Sequence, residues 1–118
     1  DKMPVFKSKD MNSKKLFPGV LMKKGIDYET GSKSVTLGEI NLSKGCGLPF
    51  HTHTVEDCMY IVEGKGEMYI DEEIYPIEAG DQILVPAGTK HKIKNTGKNP
   101  LVLVFTYPSV KVTRTLIE

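Results

Sequence analysis

Three histidines stand where their side chains could converge on a metal ion. His51 and His53 form an H-x-H pair in the stretch His51-Thr52-His53-Thr54-Val55-Glu56-Asp57, and His91 follows Pro86-Ala87-Gly88. These are all the histidines of the chain. Neutral imidazole is the commonest protein ligand for transition metals, so the spacing reads as a metal site ahead of ordinary surface or core duty.

In a strand, side chains two apart share a face. His51 and His53 can therefore aim at one point, and continuing the parity brings Val55 and Asp57 to the same side. Asp57 is thus the first candidate for a carboxylate ligand. Glu56, of opposite parity, is the fallback if the chain bulges between His53 and Asp57. Pro86 and Gly88 frame a tight turn that places His91 near the start of the next strand. Three imidazoles and one carboxylate, with no thiolate, suit Fe, Mn, Ni, Co or Zn as divalent ions and leave coordination positions open. Such positions can hold water, dioxygen or a substrate oxygen.

The elements that must position these residues are strands. From Gly19 onward, short β-type runs alternate with turn residues: Val20 to Lys23, Val35 to Leu42, Cys58 to Val62, Glu67 to Ile70, Ile74 to Ile77, Gln82 to Val85, Lys90 to Lys94 and Leu101 to Tyr107. This density of strands and turns predicts an all-β sandwich or barrel, and no window carries a long 3.6-residue apolar repeat. Residues 1–18 are lysine-rich and read as an N-terminal arm with a short edge strand at Leu16-Phe17, leaving 19–118 as the β domain. The apolar phase of Val35 to Leu42 switches midway, which predicts a bulge near Gly38. Met59, Ile61, Phe50 and Leu84 read as core. Leu101 to Phe105 is apolar on both faces, as for a strand covered on both sides.

With 118 residues, the chain has the size of one domain and needs no disulfide to bury a core. A formal net charge of +1 gives no reason to expect a nucleic-acid or membrane-surface partner. No apolar run approaches a membrane span, and no secretory signal pattern opens the sequence. A cytoplasmic setting follows as the expectation, with Cys46 and Cys58 as reduced thiols.

The residues around the histidines resemble the two motifs of the cupins. The first, G-x5-H-x-H-x3,4-E-x6-G, is matched by Gly45, His51, His53, Asp57 and Gly64; the second, G-x5-P-x-G-x2-H-x3-N, by Gly80, Pro86, Gly88, His91 and Asn95. Nine of the ten positions agree, and Asp57 stands where the family keeps glutamate. The fifteen residues between the motifs resemble the spacer of small single-domain microbial cupins. The resemblance implies a jelly-roll barrel of six to eight strands with one divalent transition metal ion inside. His51, His53, His91 and Asp57 would hold it, with Glu56, or no carboxylate at all, as the alternatives. It also implies a small-molecule ligand or substrate and a homodimer. The function expected is that of a small-molecule metalloenzyme of dioxygenase type. A redox-free metal-dependent isomerase or lyase, and a non-catalytic module binding a sugar or carboxylate, stand beside it, because fold and metal motif do not fix the reaction.

Overall fold

A computed structural model describes residues 4–117. Among them the strands run β1 Lys14–Phe17, β2 Val20–Ile26, β3 Thr36–Leu42, β4 Gly47–Thr52, β5 Asp57–Glu63, β6 Lys65–Ile70, β7 Glu73–Glu78, β8 Gln82–Val85, β9 His91–Asn95, β10 Leu101–Tyr107 and β11 Thr115–Leu116. The one helical segment among the described residues is a single 3-10 turn, Ser8–Asp10. No helix there is long and apolar enough to cross a membrane.

Two antiparallel sheets form, one in the order β1-β2-β3-β10-β5-β8 and the other in the order β11-β4-β9-β6-β7. From β3 onward the chain changes sheet at every connection except that between β6 and β7. This is the jelly-roll arrangement. It brings the end of β4, the start of β5, the end of β8 and the start of β9 to one end of the barrel.

Alternation explains why these segments pair this way. In β10, Leu101, Leu103, Phe105 and Tyr107 are buried while Val102 and Val104 between them are half-buried. In β5, Met59 and Ile61 point inward and Tyr60 and Val62 outward. The inward residues of both sheets form one core with Val20, Leu42, Met68 and Ile93. Each such side chain contributes about 1.5–3 kcal/mol by leaving water.

Three expectations need correction. Leu84 is not core: it is 57% exposed, on the outer face of β8. Phe50 is only half-buried; its ring meets Tyr69 edge-on at 6.3 Å and lies under the ammonium groups of Lys90 and Lys92. The irregularity expected near Gly38 sits in the neighbouring strand. β3 pairs with β10 in unbroken register, while β2 skips a residue at Gly25 opposite Leu37 and Gly38. The apolar phase switch in β3 arises because Leu37 faces outward and Gly38 lies inward beneath Phe105. Of β4 the sequence marks only the histidine end, through strand parity at His51 and His53, and it does not mark β11. Gly47 and Pro49 disguise the start of β4, and β11 is only two residues long.

Candidate metal centre

β4 reaches the site through a change of phase. Leu48 pairs with Ile93 on β9, but the next registered pair is His51 with His91, so β4 uses one more residue than its partner. The extra residue falls at Pro49-Phe50, where Pro49 has no N–H to give to the ladder. A bulge there lets residues at an odd spacing share the inner face: Leu48 stays in the core and His51 still faces inward. His51 and His91 thus become direct cross-strand partners, their ring centroids 4.2 Å apart.

The turn before β9 ties the motifs together. Gly88 has φ of +76°, and the Thr89 N–H donates to the Pro86 carbonyl, as in a type II turn with glycine at its third position. The Gly88 N–H donates to the His53 carbonyl at 2.8 Å. Asn95, fully buried at the other end of β9, donates to the carbonyls of Leu42 and Asn99 and accepts from the Gly97 N–H. β9 is therefore anchored at both ends, and His91 with it.

Each histidine has its tautomer set by the backbone. Nδ1 of His51 lies 2.7 Å from the Pro49 carbonyl, Nδ1 of His91 lies 2.9 Å from that of Thr89, and Nδ1 of His53 lies 2.9 Å from that of Thr113. A carbonyl can only accept, so Nδ1 carries the proton and Nε2 keeps its lone pair. Burial lowers the His51 pKa from 6.5 to about 3 and lowers that of His53 as well. Both imidazoles are neutral at neutral pH, the form that ligates metals. The ligating atoms of His51, His53 and His91 lie within 4.8 Å of one another.

Asp57 opens β5, paired with Val85, and is buried, whereas Glu56 is exposed. Its Oδ2 lies 3.5 Å from Nε2 of His91 and 3.8 Å from Nε2 of His53. The strand parity that runs from His53 to Asp57 holds through the connection, and the bulge lies ahead of His51 instead. Lone pairs on Nε2 facing a carboxylate oxygen call for a cation between them. His91 Nε2 and Asp57 Oδ1 are buried with no hydrogen-bond partner, and such atoms are costly unless a ligand satisfies them. The donor set fits a divalent transition ion.

Two residues of the site were not singled out from the sequence. Tyr107, the last inward residue of β10, brings its hydroxyl to 3.3 Å from Nε2 of His53. Burial, and next the charge of Asp57, hold this phenol above its ordinary pKa, while Arg114 acts in the opposite sense. Arg114, just before β11, lines the same interior as His51, Asp57, His91 and Tyr107. The signals were there: Tyr107 continues the Leu101-Leu103-Phe105 parity, and Arg114 is the sole arginine of the chain. The two cysteines stand apart. Both are free; Cys46 packs against Gly19, and Cys58 points away from the histidines with its thiol pKa raised, chiefly by burial.

Comparison with known proteins agrees with this geometry. An uncharacterised protein of Methanocaldococcus jannaschii is 40% identical over 75 residues, 62% of this chain and 60% of that protein. Acireductone dioxygenase 1 of Nocardia farcinica is 40% identical over 53 residues, 42% of this chain and 28% of that one. The chain spans about half to three-fifths of the length of curated relatives it matches. Among solved structures, the polyketide cyclase RemF from Streptomyces resistomycificus superimposes with a TM-score of 0.85 at 20% identity, covering 98% of this chain and 86% of that one. The family model of the Cupin domain matches residues 38–107, more than half of the chain and both histidine segments, so the chain belongs to the cupin family.

Proposed function

We propose that His51, His53 and His91 hold one divalent transition metal ion, with Asp57 rather than Glu56 as the fourth protein ligand, and that the chain is a small-molecule metalloenzyme of dioxygenase type. The observation that carries this reading is the convergence of three buried imidazoles whose Nδ1 positions are all occupied by backbone carbonyls. The similarity to an acireductone dioxygenase over 53 residues supports the oxygen-dependent version.

When bound, a divalent ion supplies Lewis acidity, and iron or manganese supplies redox chemistry toward dioxygen as well. The chain's own residues do the rest. The carbonyls of Pro49, Thr89 and Thr113 keep the three rings aimed. Ile40, Leu48, Met59 and Leu103 wall the interior with apolar surface that keeps bulk water out. Tyr107 holds a proton at its hydroxyl beside His53.

That last contact favours one other reading, a redox-free isomerase or lyase in which Tyr107 moves a proton to or from substrate. Oxygen uptake separates the two. With Fe(II) or Mn(II) restored, substrate-dependent consumption of dioxygen is expected. Equal conversion under anaerobic conditions, or with zinc alone, would hand the site to proton transfer. Reversible ligand binding without turnover would make it a binding module.

A homodimer belongs to the same proposal. Leu37, Tyr60, Val62 and Leu84 leave apolar surface exposed on the outer face of the six-stranded sheet, more than scattered single residues require. The described part of the lysine-rich arm, residues 4–18, is proposed to lie beside it, with Val5 and Phe6 also exposed.

A further inference from the structure

Arg114 points to the class of molecule the barrel takes. Its Nε is buried and has no hydrogen-bond partner. None of the ion pairs among the described residues involves it. Its guanidinium hydrogen-bonds the Tyr107 hydroxyl, and its charge reaches His51 and His53, but neither contact uses the Nε–H. A guanidinium is always charged and offers a planar fork of donors, so a desolvated N–H without a partner is a group waiting for an anion.

The space beside it fits one kind of anion. Arg114 separates the metal-side interior from an adjoining cavity of about 220 Å³. Lys14 and Lys24 join Arg114 in its lining, and no carboxylate does. Lys24 is shared with Asp27 at 3.6 Å, outside the lining. Met22, Phe105 and Val112 supply apolar wall, and His53 and Tyr107 close the side toward the histidines. Cationic groups on one side of a small cavity that is also lined by Thr36 and has a partly apolar wall suit an organic acid: the carboxylate meets the guanidinium in a two-point contact and the carbon body meets the apolar part of the wall.

We propose that this cavity binds a small carboxylic acid with a compact apolar body, Arg114 pairing with its carboxylate and the molecule lying next to the histidine centre. This names a substrate class for the metalloenzyme reading and rests on it only for the chemistry that follows binding. The pairing itself needs no metal.

The test uses benzoate, with benzamide as its uncharged isostere and inorganic phosphate as an anion without an apolar body. Binding to the metal-free protein is followed by calorimetry. Benzoate should bind at least about tenfold more tightly than benzamide, and Arg114→Gln should remove about tenfold of benzoate affinity, a factor worth about 1.4 kcal/mol. Benzamide should be indifferent to that substitution. Arg114→Lys, which keeps charge but not the fork, should lose less than Arg114→Gln, and it supplies the comparison if the glutamine variant folds poorly. Benzoate affinity within twofold between wild type and Arg114→Gln would overturn the proposal, as would benzamide or phosphate binding as tightly as benzoate. Metal content of the same proteins keeps the two readings apart. Metal bound but benzoate indifferent to Arg114 sinks the acid site alone. Arg114-dependent benzoate binding in a protein that takes up no metal sinks the metal centre alone.

Discussion

The His53 ring donates its Nδ1 proton to the carbonyl of Thr113, sixty positions later in the chain and 2.9 Å away. Its two fellow histidines use carbonyls two residues back, on their own segments. One side of the candidate metal centre therefore depends on the tail. Thr113 is carried in by β11, which pairs Thr115 with Thr52 and Leu116 with His51 on the edge of β4, and the Ile117 N–H donates to the Phe50 carbonyl.

Removing residues 111–118 should leave a folded barrel with a weakened centre. Loss of an outer hydrogen-bond partner of a metal-ligating histidine typically costs about 10–100-fold in metal affinity. Competition with a chelator reads this directly. Unchanged affinity would mean that His53 is oriented without the tail.

Asp57 and Glu56 are neighbours in sequence with opposite fates, one buried between His53 and His91 and the other exposed. Asp57→Ala should lower metal affinity by about tenfold or more, as expected for loss of a charged ligand, while Glu56→Ala should stay near wild type. The reverse order in the same chelator titration would give the ligand role to Glu56.

The metal-free protein should lose stability on mild acidification. His51 titrates near 6.5 when unfolded and, because of burial, near 3 when folded. Between those values the unfolded chain binds more protons, so stability rises with pH and is lost as pH falls below 6.5. From this group alone the loss is about 1.4 kcal/mol per pH unit, or about 2 kcal/mol between pH 7.5 and 5. His53 is shifted in the same direction, chiefly by burial, and adds to the effect. Urea unfolding at the two pH values should show the drop, and His51→Gln should shrink it. A flat profile in the wild type would show that His51 is not desolvated as the fold requires.

Gly38 tests the packing behind the site. A Cβ there would come within 2.5 Å of the Phe105 ring and 2.8 Å of the Lys23 carbonyl. Gly38→Ala should cost about 1–3 kcal/mol through overpacking, seen as a lower urea midpoint. A neutral result would mean that Phe105 can leave its position beneath β3 without penalty.

Much of this was legible in the chain itself, for identifiable reasons. The histidines, the Pro86–Gly88 turn and Asn95 are local devices whose geometry follows from residue type and spacing, and the turn and Asn95 form the hydrogen bonds such residues favour. The inward parity of Asp57 also survived, because the one-residue bulge lies ahead of His51 rather than behind His53. What stayed hidden depends on other strands. Leu84 has the composition of core, yet it lies on the side of β8 turned away from the barrel interior. Gly38 is inward because Phe105 needs the space, which β3 alone does not reveal. Arg114 precedes a two-residue strand where alternation carries no information, and only its being the one arginine among sixteen basic residues marks it.

Metal content is the most direct measurement. Protein purified without chelator should carry about one divalent transition ion per chain, consistent with one cluster of nitrogen and oxygen donors. The His51→Ala/His91→Ala double variant should carry none while keeping its β-sheet circular dichroism. A folded double variant that retains a full equivalent of metal would show that the ion is held elsewhere and that the three converging histidines are not its site.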